Sequence, residues 1–244
     1  MPRGSIESLA SATGSNTYER LKSQGLCMRA LSAVITLALA ASLSACTFDR
    51  EGAPELHFAD FKSEPPHGNA IWLCHAYGCQ MQTKIVFGAA QLKEIAALMA
   101  KTKKADTPFE ERRAVAYAVN WMYVYTGKLT GTIADRPGMD YNGSGDPTQM
   151  DCVDHSTNTT SFLLVLQHNG FLKHHTVGRP FAKGNILQGV SHWPHWTAIL
   201  IEKTGAAQRW AVDSWVWPIG ENPIVVEAEK WYNVDLEHLP KGAT

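Results

Sequence analysis

Cys152 stands in "QMDCVDHSTNTTSFLLVLQHNG" (residues 149–170), between two aspartates and at the head of an apolar run with helical character. A thiolate is the nucleophilic form of cysteine, and a helix N-terminus or a neighbouring imidazole lowers the thiol pKa toward neutrality. Such a nucleophile needs a histidine to carry the proton and an acid to orient that histidine. Two strand-like runs downstream supply both. "HWTAILIE" opens with His195, "RWAVDSWVW" contains Asp213, and between them Lys203-Thr204-Gly205 reads as a three-residue hairpin loop with glycine at the position that favours positive φ. Pairing Glu202 with Ala206 sets His195 directly across from Asp213, within reach of an imidazole–carboxylate hydrogen bond. A bulge would shift this pairing by one residue. For a developing oxyanion, the backbone N–H of Cys152 is one natural donor, and the side chain of Gln149 is a candidate for the second.

Other histidines compete for the role. His155 lies one helical turn beyond Cys152 and is expected to project elsewhere, while His192, in "SHWPH", reads as a loop contact. His174 and His175 open another strand, as surface or core residues. Cys152, His192 and His195 together could hold zinc, but neither H-E-x-x-H nor a paired C-x2-C accompanies them, and no metal site is assigned. Trp193, Trp196, Trp210, Trp215 and Trp217 crowd the same hairpin. Core packing is the default for them, and strict alternation puts Trp196 and Trp210 on the face away from His195 and Asp213.

The remaining cysteines explain why Cys152 is the odd one. The chain has five: Cys27, Cys46, Cys74, Cys79 and Cys152. From Met28, "MRALSAVITLALAASLSAC" has the basic start, apolar run and small-residue end of a secretory signal, and the run is shorter than the about 20 residues of a membrane span. Its close, "LSAC" (Leu43 to Cys46), resembles the lipobox of bacterial lipoproteins. That resemblance implies a lipid on Cys46, a membrane anchor and a periplasm-facing protein; the alternatives are an ordinary signal peptide and a buried N-terminal helix of a cytosolic protein. Translation is expected to start at Met28, since the residues before it add nothing to a signal. Cys74 and Cys79 lie in two β-like runs around "HAYG", where a tight hairpin would bring their sulfurs within disulfide reach. Cys152 is then left unpaired, either inert and buried or kept for chemistry.

The elements that must position these groups follow from periodicity. Residues 1–45 read as leader and signal, 46–66 as a lipidated tether without sustained period, and 67–244 as a single domain. "AAQLKEIAALMAKTKK" has helical spacing at Leu92, Ile95, Leu98 and Met99, and a second helix starts at Thr107-Pro108 with a stop expected at Gly127. Residues 128–148, rich in Gly, Asp and Pro, form a long irregular segment of the kind that usually serves a site. The Cys152 helix ends at Asn169-Gly170. Strand-like runs follow: "HHTVGRPF", "HWTAILIE", "RWAVDSWVW" and "NPIVVEAEKWY". Helices first and an antiparallel sheet after them give an α+β fold. With 22 basic against 23 acidic residues, there is no charge excess to attract nucleic acid.

The order of cysteine, histidine opening a strand, and aspartate on the next strand resembles the transglutaminase-like superfamily, in particular its bacterial cysteine proteinases with a papain-like fold. The matching pieces are "MDCVD", "HWTAILI" and "WAVDSW", within residues 90–235. The resemblance implies Cys152 as nucleophile, His195 as general base and acid, Asp213 as its orienter, and an acyl-enzyme formed on a protein, peptide or cell-envelope substrate. Water as acceptor would make it a peptidase or amidase, and an amine a transamidase. Val153 stands where that family's pattern has glutamate. Some members bind calcium with acids around the cysteine; here the missing carboxylate favours helix capping for Asp151 and Asp154, and no cofactor is expected. The alternative function is a non-catalytic envelope lipoprotein that binds a protein or peptidoglycan partner on the same fold.

Overall fold

Cys152 opens a helix because Asp151 caps it: the Asp151 carboxylate accepts from the Val153 and Asp154 amides, and the Asp154 side chain accepts in return from the Asp151 amide. This computed structural model describes residues 51–138, 140–184 and 194–234. The segment read as a secretory signal, with Met28 and Cys46, lies outside the described residues, as do His192 and Trp193. In chain order the elements are α1 (Glu55–Asp60), β1 (Ala70–His75), β2 (Met81–Val86), α2 (Ala89–Thr102), α3 (Pro108–Thr130), a short 3-10 turn (Thr132–Ala134), α4 (Cys152–His168), β3 (His175–Lys183), β4 (His195–Glu202), β5 (Arg209–Asp213), β6 (Ile224–Glu227) and α5 (Ala228–Asn233). The fold is α+β: β1 and β2 form an antiparallel hairpin, and β3-β4-β5-β6 form a separate antiparallel sheet in sequence order.

Helix α4 packs against β1, β3, β4 and β5, and so is enclosed on several sides. Its second half meets this with Phe162, Leu163, Val165 and Leu166, all fully buried. The sheet shows the period of two that packing on both faces demands. Leu200, Val212 and Val225 face the large core shared with the helices, whereas Ile199, Ala211, Ile224 and Val226 face a smaller core with Phe181 and Trp231.

Several expectations need correction. The β4–β5 loop is longer than three residues: the strands stay paired until Glu202 N–H meets the Gln208 carbonyl at 2.9 Å, with Gly205 and Ala207 taking positive φ inside the turn. The register is therefore Ala198 with Val212 and Ile199 with Ala211, so its continuation sets Asp213 across from Thr197 and not from His195. Helix α3 passes through Gly127 and stops at Gly131, which has a φ of 87°. A Cβ on Gly127 would come within 2.9 Å of the Ile133 nitrogen, so glycine is required there for close approach and not for termination. The segment expected as tether contributes α1, which buries His57 and Phe58. "NPIVVEAEKWY" is strand only as far as Glu227 and then turns into α5.

Candidate active site

The start of α4 is fastened to the β1–β2 hairpin. Cys74 and Cys79 form a disulfide with their Cα atoms 4.5 Å apart, and residues Ala76, Tyr77, Gly78 and Cys79 between the strands all have positive φ. Such a left-handed turn aims several amides inward. The Asp154 carboxylate takes two of them, from Tyr77 at 2.8 Å and Cys79 at 2.7 Å, while Asn158 bonds both the amide and the carbonyl of Cys74. Burial, and then the nearby Asp151 carboxylate, raise the Asp154 pKa well above its ordinary value. Asp151 and Asp154 thus serve as caps and braces. A calcium ion at these carboxylates would have to displace backbone donors from them.

Cys152 is the free cysteine among the described residues and is 6% exposed. Its sulfur lies 3.6 Å from the Pro194 carbonyl, to which the thiol donates, and the Trp196 amide also bonds to it. The thiol is therefore held against the backbone on both sides of His195. Burial pushes its pKa up to about 12, with the Asp151, Asp213 and Asp154 carboxylates adding to the rise, so the resting form is the thiol. The capping box uses the Val153 and Asp154 amides, and the Cys152 amide carries none of the bonds that cap the helix.

His195 and Asp213 meet although they are not strict partners. A displacement of two residues leaves both side chains on the same face, as diagonal neighbours, and an imidazole and a carboxylate span that separation. His195 Nε2 and Asp213 Oδ2 are 2.7 Å apart. The Trp231 indole N–H donates to the same oxygen at 2.8 Å, and the Trp215 amide donates to Oδ1 at 3.1 Å. Burial acts to raise the Asp213 pKa, but the His195 charge and these donors outweigh it and hold the carboxyl below its usual range. The Trp215 ring covers the His195 ring at 4.5 Å between centroids. With Nε2 tied to Asp213, His195 Nδ1 is buried and has no hydrogen-bond partner among the described residues.

Gln149 does not serve as an oxyanion donor. It is 1% exposed, its amide N–H groups bond the Ala134 carbonyl and Thr148, and its oxygen takes the Arg136 amide. The residue is used to hold the irregular segment onto the head of α4. His155 is likewise engaged away from Cys152, with Nε2 2.9 Å from Asp135 and Nδ1 3.1 Å from Ser214. His174 pairs with Asp106 at the surface and His175 with the buried Glu111. Trp196 packs on His57 and Phe61, and Trp210 lies under the Arg112 guanidinium. Among the described residues, the grouping of metal-ligating atoms formed by Cys74, Cys79 and Asp154 is a disulfide beside a carboxylate already bonded to amides.

Sequence reasoning missed Trp231 as a partner of Asp213 and Ser214 as part of the layer beneath. Ser214 joins Thr159, Tyr123 and His155, tying the residue after Asp213 to α3 and α4. The signal available for Ser214 was its place beside Asp213; for Trp231, a lone indole after a strand, there was none. Comparisons with protein-family models, curated proteins and solved structures found no match.

Proposed function

We propose that this protein is a thiol enzyme of the transglutaminase-like, papain-like kind, acting on an amide or peptide bond through Cys152, His195 and Asp213. His195 Nδ1 takes the Cys152 proton, and the sulfur adds to the substrate carbonyl. The Cys152 amide steadies the oxyanion. The C–N bond then breaks, the amine leaves with the proton from His195, and the acyl group stays on sulfur. Water releases it as a carboxylic acid, or a second amine as a new amide, with His195 again moving the proton. No cofactor enters these steps. The sequence features at Met28 and Cys46 extend the reading to a lipid-anchored protein facing the periplasm, with a peptide, protein or cell-envelope substrate.

One observation carries the proposal. The free sulfur is held against the residues flanking His195, whose Nε2 is fixed on a buried carboxylate while Nδ1 has no hydrogen-bond partner among the described residues. A buried imidazole left half-satisfied is costly for stability alone, and proton exchange with the thiol gives it a purpose. Iodoacetamide should alkylate Cys152 at neutral pH with His195 removing the thiol proton as the sulfur reacts, and His195→Ala should slow this by about a hundredfold. Equal rates in the two proteins would overturn the proposal.

The burial of the sulfur favours a second reading, a non-catalytic envelope lipoprotein that uses the fold to bind a protein or peptidoglycan partner. On that reading a Cys152→Ser protein keeps full cellular function, whereas an enzyme loses it.

A further inference from the structure

Asp213 is gripped from outside its own hairpin. Trp231, on α5, is fully buried, and its indole N–H bonds the same Asp213 oxygen that holds His195. A six-residue helix such as α5 depends on neighbours for its place, and its last carbonyls need donors. Lys183 supplies them. It ends β3, across from His195 in the strand register, and its ammonium donates to the Trp231 carbonyl at 2.7 Å and the Val234 carbonyl at 2.8 Å. The same ammonium lies 4.5 Å from the centre of the Trp231 ring. A cation at an indole draws on its π electrons and so strengthens the N–H as a donor, more so in a poorly polarisable interior.

We propose that Lys183 and Trp231 are positioning residues for His195 and Asp213. Lys183 fixes α5 and polarises the indole, and Trp231 sets the carboxylate that keeps His195 bound through Nε2, with Nδ1 left for the thiol. This rests on the thiol–imidazole reading above. The groups that face Asp213 come from four elements and one turn: Cys152 of α4, His195 of β4, Trp231 of α5 with Lys183 of β3 behind it, and the Trp215 amide after β5.

The test is the rate of Cys152 alkylation by iodoacetamide on the full chain, between about pH 5 and 10, a range that spans imidazole titration and the rise in thiolate as pH climbs toward the thiol pKa of about 12. Two limbs separate there: a neutral one that needs the imidazole, and an alkaline one that needs only thiolate formed by hydroxide. Lys183→Met and Trp231→Phe should each lower the neutral limb about tenfold, the loss expected for one charge-assisted hydrogen bond, and leave the alkaline limb in place; Lys183→Arg should restore most of it. Loosened packing would instead raise or lower both limbs together. Wild-type profiles in Lys183→Met and Trp231→Phe, or a uniform change at every pH, would overturn the positioning role. A His195→Ala profile identical to wild type would instead remove the reading beneath it.

Discussion

Asp213 is the residue whose ionisation matters most to the candidate site. Its carboxylate is buried, accepts from two side chains and one amide, and is held below the usual carboxyl range. A depressed folded pKa contributes stability that is complete above the ordinary value of 3.8 and is lost as pH falls through the folded value. Asp213→Asn leaves the shape intact but places an amide where three donors converge. It should destabilise the protein by about 3 kcal/mol at neutral pH, and denaturant unfolding at successively lower pH should show the gap to wild type narrowing below the ordinary carboxyl range. A gap independent of pH would mean that the charge is not what stabilises. The acid's place beside His195 was legible from strand parity: a slip of two residues spoils the pairing arithmetic yet leaves the face unchanged, so His195 and Asp213 still meet. Gln149 carries no such signal, because an amide beside a cysteine looks the same in sequence whether it is free or bonded to the Ala134 carbonyl.

Among the elements, α4 and the β1–β2 hairpin act as one piece. Asp154 caps the helix and also receives the Tyr77 and Cys79 amides of the left-handed turn that the disulfide closes. Replacing it with alanine removes one leg of the capping box and orphans the buried Cys79 amide and the part-buried Tyr77 amide, so Asp154→Ala should cost about 3 kcal/mol, read as a lowered midpoint in denaturant. An unchanged midpoint would show that the turn finds other acceptors. The hairpin, its disulfide, α2 and α4 follow from periodicity and spacing, because long apolar repeats and closely spaced cysteines leave local signatures. Helix α1 and helix α5 leave none: each is six residues long, less than two full turns, and α5 follows its strand with no turn residue between them.

For the molecule as a whole, acid sensitivity should be dominated by a histidine far from the proposed chemistry in sequence. His57 is fully buried between Phe61 and Trp196, its Nε2 bonds Thr157, and its Nδ1 has no hydrogen-bond partner among the described residues. A second proton would meet no acceptor, and burial lowers its pKa from 6.5 to about 3, with the Arg179 charge contributing. The stabilisation is complete above pH 6.5 and is lost as pH falls toward about 3, because the unfolded chain binds the proton that the fold refuses. His57→Phe should therefore lose about 2 kcal/mol less than wild type between neutrality and about pH 4.5, measured by denaturant unfolding at the two values; parallel losses would refute the assignment. The bare Cα of Gly127 makes a different demand. It lets the 3-10 turn rest directly on α3, and Asp135 at the end of that turn fixes both His155 and the Met150 amide. Even a methyl group at this point would act as a wedge against backbone, transmitted through the turn to the head of α4, so a narrow steric tolerance falls on a residue with no chemistry of its own.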